Sequence, residues 1–414
     1  MRSLSKPTRT MVLGLLLASL SPPVRAVDLD KLAPGDAEAV LVINVKNYLD
    51  SVLFKKYSEE KTRQALKTGS ASKFLEDAAF DPLKDVDSIT VTFANVTGKE
   101  DMKACVIVRG KLNAGKLEKA IKDAAKQSND ALKIATEEGQ TYYTLTPPQG
   151  QQIIGTFVGN ETMVVSNNPE YLKEIVGEKK IEPTAGARVL KAAIGRLPGK
   201  ETVVFAAALT AELKEKLGEV EAIKGLVEKL DTVSGSVNID TSMDVTLALN
   251  AFDQASAKNL GVVLKQTLPI LKVLSAGNEV LSPQVELLLE HVKVTWEGKV
   301  IYLKAQFSDE ALASTQERVQ KAQVKNILAA ANTALKEMKW ERAKELFSII
   351  LRIDPENADG KKGVEKTKAL ANGYAALNEK QWSEAEEAFK AALKIDPEST
   401  VGKEGLQKAR EKKQ

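Results

Sequence analysis

The sequence predicts an α+β N-terminal region, read as a duplicated antiparallel sheet-plus-helix module, followed by an all-α helical repeat tail. Three observations carry this. From Val27 to about Phe307, short β-branched runs alternate with helical stretches. Near Leu197 the order of these elements starts again. After Phe307 strand signals stop, and a chain rich in Ala, Lys and Glu repeats itself at an offset of 42 residues. At 414 residues the chain is too long for one ordinary domain.

Residues 1–26 read as a signal peptide. Arg2, Lys6 and Arg9 make a basic start, Met11 to Leu20 is a ten-residue apolar run, and Val24-Arg25-Ala26 suits a cut after Ala26. The run is shorter than the about 20 residues a bilayer span needs. The expectation is an exported protein, periplasmic or secreted, with no integral membrane span once the signal is removed. Removal of Arg2, Lys6, Arg9 and Arg25 leaves 55 basic against 56 acidic residues. With that near balance, no basic patch argues for nucleic acid.

Residues 27–195 form the first half of the α+β region. Strands are expected at Glu38–Val45, Ser88–Phe93, Cys105–Val108, Tyr142–Leu145, Ile153–Val158 and Thr162–Val165. The helix at Lys116–Lys126 puts Leu117, Ala120, Ile121 and Ala124 on one face. Residues 196–307 form the second half. Thr202–Leu209 is a strand, Ala211–Leu230 a helix, Val233–Ile239 and Asp244–Asn250 a hairpin, and Ala255–Leu274 a second helix. His291–Trp296 and Val300–Phe307 close it through Glu297-Gly298-Lys299. Each half reads strand, helix, two strands, helix, two strands. The Leu32-Ala33-Pro34-Gly35 and Leu197-Pro198-Gly199 openings resemble the front part of some uncharacterised exported bacterial proteins. That resemblance implies no activity.

In the tail, residues 308–414, the stretch Leu335 to Ala343 matches Leu377 to Ala385. The match continues through Phe347 and Phe389, Ile353-Asp354-Pro355-Glu356 and Ile395-Asp396-Pro397-Glu398, then Gly360/Gly363 and Gly402/Gly405. Trp340, Ala343, Phe347 and Pro355, like Trp382, Ala385, Phe389 and Pro397, resemble the tetratricopeptide repeat. Ala331 and Gly373 fill its small first-helix position. Repeats are placed at about 324–357 and 366–399, with a capping helix at 401–412. The period exceeds the family's 34 residues by eight, taken here as Ala358–Glu365 lengthening a first helix.

The resemblance implies stacked helix pairs and a groove for a partner protein. The first helices would line it with Leu328, Asn332, Leu335 and Lys336, then Leu370, Tyr374, Leu377 and Asn378. Leu328, Leu335, Tyr374 and Leu377 are the expected apolar anchors. Trp340, Phe347, Trp382 and Phe389 are expected to hold the helices together. Family members that clamp a C-terminal carboxylate use Lys and Asn at set groove positions. Here Leu328 and Ala371 occupy two of them, so a partly apolar groove is expected.

No catalytic motif is complete. One Cys and one His exclude Cys-based zinc sites and His-rich metal centres, and no cofactor is expected. Gly110 to Leu117 approaches a phosphate-binding loop, but Leu117 stands where Ser or Thr must hold Mg²⁺. It reads instead as a strand-to-helix turn with Asn113 as N-cap. Ser70-Ala71-Ser72-Lys73 is a bare S-x-x-K, matched again by Ser58 and Lys61. The functional expectation is an exported, non-enzymatic interaction scaffold or assembly factor. Its alternatives are a lipid or small-molecule site, or a hydrolase-type activity, in the α+β region.

Overall fold

The computed structural model describes residues 32–69, 71–97, 102–126, 131–147, 151–177, 182–194, 201–219 and 221–413. The signal-peptide expectation, Ser70 and the Leu197-Pro198-Gly199 opening lie outside the described residues. Contacts divide the chain into two compact units. One holds residues 1–269 with 290–309, and the other 270–289 with 310–414.

The first unit is built on strands β1 (Ala39–Asn44), β2 (Val86–Ala94), β3 (Lys103–Gly110), β4 (Leu132–Glu137), β5 (Gln140–Leu145), β6 (Ile153–Val158), β7 (Thr162–Ser166), β8 (Val203–Ala208), β9 (Leu230–Ile239), β10 (Ser242–Ala251), β11 (Lys293–Glu297) and β12 (Val300–Ser308). They form one twelve-stranded sheet in the order β11-β12-β10-β9-β8-β1-β2-β3-β7-β6-β5-β4. The two halves meet where β1 runs antiparallel to β8, Val40 opposite Ala206 and Val42 opposite Val204. Outward from that seam each half repeats one order: its first three strands, then its last strand, then the strand before it. The first half adds the β4–β5 hairpin at its edge. The sequence reading places no strand at β4, because Leu132 and Ile134 are its only two shielded residues and the rest are exposed. Its turn is nevertheless specified: Glu138 and Gly139 both have positive φ, 51° and 84°, as a two-residue hairpin requires.

The helices of this unit are α1 (Val45–Asp50), α2 (Val52–Tyr57), α3 (Glu59–Thr68), α4 (Ser72–Asp77), α5 (Pro82–Asp85), α6 (Ala114–Ala125), α7 (Pro169–Val176), α8 (Ala185–Ile194), α9 (Ala211–Gly218), α10 (Glu221–Val227) and α11 (Gln254–Thr267). Strand alternation directs two cores to opposite faces. Cys105, Ile107 and Val164 bury against Tyr171 and Leu172 of α7. Tyr143 and Phe157 bury against Leu117, Ala120 and Ile121 of α6, with Val108 packed beside them. Leu190 and Ile194 of α8 cover the seam, and Ala257 and Leu260 of α11 cover Leu249, Ala251 and Ile301. Two expected helices are shorter than read. Ala211–Leu230 divides into α9 and α10, and Leu230 already belongs to β9. Ala255–Leu274 breaks at Pro269, whose ring nitrogen has no hydrogen to donate to a helical carbonyl.

The second unit contains α12 (Ile270–Ser275), most of α13 (Ser282–His291), nearly all of α14 (Asp309–Lys336), and α15 (Trp340–Ile353), α16 (Ala358–Asn378), α17 (Trp382–Ile395) and α18 (Thr400–Lys413). The sequence reading assigns residues 270–289 to the sheet module. Their contacts instead place them with the tail, where Arg318 reaches Glu286 at 2.6 Å and Lys325 reaches Glu279 at 2.5 Å.

Conformation repeats in the tail at the same offset of 42. Met338 and Lys380 are left-handed, with φ of 56° and 61°, after the first helix of each pair. In both copies the next residue returns its N–H five residues back, Lys339 to the Ala334 carbonyl and Gln381 to that of Ala376, each at 2.9 Å. Asp354 and Asp396 end the second helices with φ,ψ of −136°,93° and −138°,91°. Pro355 and Pro397 follow, exposed, where no helical N–H is wanted. Asn357 and Ser399 then accept the N–H of Gly360 and Gly402. The Ala358–Glu365 lengthening is continuous with α16. Expected as a cap, α18 starts at the position equivalent to the start of α16.

Candidate functional site

The tail core is assembled from the residues that recur. Ala331, Ala343, Phe347, Ile350, Leu370, Ala385, Phe389 and Ala392 are buried in one cluster. Phe347 lies against Gly363, where an added Cβ would sit 2.2 Å from its ring. Phe389 lies against Gly405 and Gly373, where the distances would be 2.4 and 2.7 Å. Gly363 and Gly405, in the first turns of α16 and α18, are thus the surfaces on which the preceding helix seats its Phe. Trp340 packs half-buried on this core, and Trp382 is half-buried.

The expected groove residues divide into two groups. Leu328, Asn332 and Leu377 are half-buried on α14 and α16, and Lys336 and Asn378 at the ends of those helices are exposed. These five keep accessible surface. Leu335 and Leu370 do not: they are 4% and 1% exposed, inside the core. Their expected role as groove contacts is corrected by helical periodicity, which turns both toward the second helices. Tyr374 stays half-buried, as Leu328 and Leu377 do, and packs on the same core. Its ring stacks on Trp340 with centroids 5.5 Å apart and meets Phe389 edge-on at 5.1 Å. Its hydroxyl donates to the Val401 carbonyl at 3.2 Å. Burial pushes the phenol pKa up. Tyr374 is a packing residue that joins α16 to α15, α17 and α18.

Charge is distributed unevenly over the tail. The Glu386 carboxylate receives Lys413, Lys390 and Arg410 at 3.1–3.3 Å and is held down to about 2 by those three cations. Lys366 holds the Asp396 carboxylate below its usual range at 3.0 Å. Every carboxylate with a displaced pKa among the described residues is displaced downward by a cation or a hydrogen-bond donor. That is the signature of ion pairs and caps.

In the first unit, the sheet offers a depression of about 560 Å³ lined by Glu201, Ser236, Asn238, Asp244, Thr246 and Lys304 together with Thr295, Trp296, Glu297 and Tyr302. The register explains it: Asn238 faces Asp244 and Ser236 faces Thr246, while Lys304 of β12 follows on the same face. One Glu201 carboxylate oxygen is buried there with no hydrogen-bond partner. The sequence reading missed this site. Its signal was the alternation of Thr232, Ser234, Ser236 and Asn238 along β9, polar on one face and apolar on the other.

The decoy motifs resolve into packing. Leu112, Ala114 and Leu117 are buried in the core under α6. Asn113 does precede the helix, but in a left-handed conformation with φ of 47° and without a side-chain cap. His291 ends α13, its ring 5.6 Å from that of Phe307. Cys105 is fully buried. Among the described residues no His, Cys, Asp and Glu group could hold a metal ion. No protein-family model matches the sequence, and no curated protein or solved structure matches it.

Proposed function

We propose that this chain is an exported interaction scaffold or assembly factor, non-enzymatic, whose tail binds a partner protein in the manner of a tetratricopeptide repeat. The observation that carries the reading is the recurrence, 42 residues apart, of the same left-handed helix end, the same Asp-Pro stop and the same Phe-on-Gly contact. Stacked helix pairs of this kind leave one side of the first helices open. On that side the partner would meet Leu328, Asn332, Lys336, Leu377 and Asn378, a mixed apolar and amide surface.

The test is site-specific photo-crosslinking of the mature chain from Asn332 and Asn378 in the exported fraction. One partner captured at both positions, and released by Leu328→Asp with Leu377→Asp, supports the reading. Crosslinks that ignore those substitutions overturn it. A second reading rests on the depression beside Glu201, whose polar groups beside Trp296 and Tyr302 would suit a small ligand with polar and apolar parts. Its test is a ligand-induced rise in melting temperature that Asp244→Asn abolishes.

A further inference from the structure

We propose that β4 is an assembly edge: it pairs antiparallel with β4 of a second copy of this chain, about a two-fold axis at Ala135. An open sheet ends in strands whose outer N–H and C=O groups have no ladder partner. Here those strands are β4 and β11. β4 belongs to the hairpin that the first half adds beyond the strand order common to both halves. Its Lys133, Ala135, Thr136 and Glu137 are exposed, and none of its residues is fully buried. At the other edge Val294 of β11 is buried under α11. β4 also lacks the proline or bulge that guards many edges, and it pairs with β5 without a register shift.

The hairpin decides which groups face outward. Glu138 and Gly139 form a two-residue turn, so Glu137 and Gln140 close it as a hydrogen-bonded pair. Alternation then directs the backbone groups of Lys133, Ala135 and Glu137 toward β5, and those of Ile134 and Thr136 outward. A second β4 must therefore bring its own Ile134 and Thr136 to these two. The register centred on Ala135 does so, with about four hydrogen bonds. The same register sets Lys133 opposite Glu137 of the second copy, and Glu137 opposite its Lys133. These are the non-hydrogen-bonded positions, where side chains across the ladder approach most closely. A slip of two residues in either direction leaves Lys133 opposite a neutral residue, Ala135 or Gly139, and loses both pairs. Charge thus selects a copy of the same strand, because β4 carries both signs at the spacing that its own reversal matches. Among the described residues Lys133 has no ion pair. Glu137 meets Lys173 of α7 at 2.8 Å, so the second copy's lysine would complete a Lys–Glu–Lys row.

The test is sedimentation of the mature chain over a range of concentrations, where a dimer is expected. Lys133→Glu and Glu137→Lys should each weaken it about tenfold or more, since either places two like-charged pairs across the axis. An equal mixture of the two variants should dimerise again, because each then meets its opposite. Ala135→Cys should couple rapidly to itself under mild oxidation, as a residue facing its own copy at about 4.5 Å between Cα atoms allows. Lys133→Cys should couple only when mixed with Glu137→Cys. The native Cys105 is fully buried and serves as the background. All the substituted positions are exposed, so circular dichroism and melting of the monomers should match the parent. A monomer at every concentration overturns the proposal, as does coupling no faster at Ala135 than at Lys133 alone. A dimer dissolved by Lys293→Glu and indifferent to Lys133→Glu also overturns it and assigns the contact to β11, where Lys293 and Glu297 have the same spacing.

Discussion

The two joints of the helical tail share their apolar construction and differ in their polar ties. At the first, Phe347 of α15 seats on Gly363 of α16; at the second, Phe389 of α17 seats on Gly405 of α18. Around both, caps and turns superpose at an offset of 42, and so do the ion pairs Lys361–Glu356 and Lys403–Glu398. The second joint alone has Glu386 gripped by three cations and Lys366 paired with Asp396. The corresponding first-joint positions are Lys344 and Val324. Tyr374, at the place held by Asn332 in the first copy, stacks on Trp340 across the first joint and meets Phe389 edge-on. Packing of rings on backbone recurs because it sets the distance between helices. The exposed pairs Lys361–Glu356 and Lys403–Glu398 recur too, and what sets the second joint apart is the pairing of the largely shielded Glu386 and Lys366 side chains.

The comparison is broken most severely at the rings. Phe389→Ala and Phe347→Ala should each cost about 3–5 kcal/mol, read from urea unfolding of the full chain. Equal losses would show that the aromatic seat sustains both joints alike; a much smaller loss at Phe347 would show that the first depends on other contacts. Gly363→Ala and Gly405→Ala approach the same seats from the other side. Each added methyl must displace a Phe ring, with an expected cost of about 1–3 kcal/mol. Tyr374→Phe keeps the aromatic pile and removes only the hydrogen bond to Val401, so a loss of about 1 kcal/mol is expected. A silent Tyr374→Phe beside a destabilising Tyr374→Ala would confirm that the ring, and not the hydroxyl, joins the copies.

Smaller effects separate the joints by acidity. The Glu386 pKa is depressed in the folded chain to about 2, below the roughly 4.3 of an unfolded glutamate. Its contribution is therefore complete above about pH 4.5 and is lost as pH falls toward 2. Glu386→Gln should flatten the decline in tail stability across that window, and Lys344→Gln at the first joint should leave it unchanged. Smallest of all, Lys380→Gly should change stability by less than about 1 kcal/mol. Relief of the left-handed backbone at φ 61° is offset by the greater freedom of glycine in the unfolded chain.

The sequence by itself determined the restart of the sheet module near residue 196, the end of strand structure near Phe307, the 42-residue repeat and the residues that pack it. Each of these depends on local alternation, on turn chemistry, or on pairs at a constant spacing. Only the tertiary structure decided the rest. β4 became a strand because β5 offers it a hydrogen-bonding edge, while its own residues alternate weakly. Residues 270–289 joined the tail through Glu279 and Glu286, whose partners lie more than 30 residues away along the chain. Leu335 and Leu370 moved from the expected groove into the core. A repeat pattern shows that positions are equivalent, but which of them face a neighbouring helix depends on how closely glycine lets that helix approach.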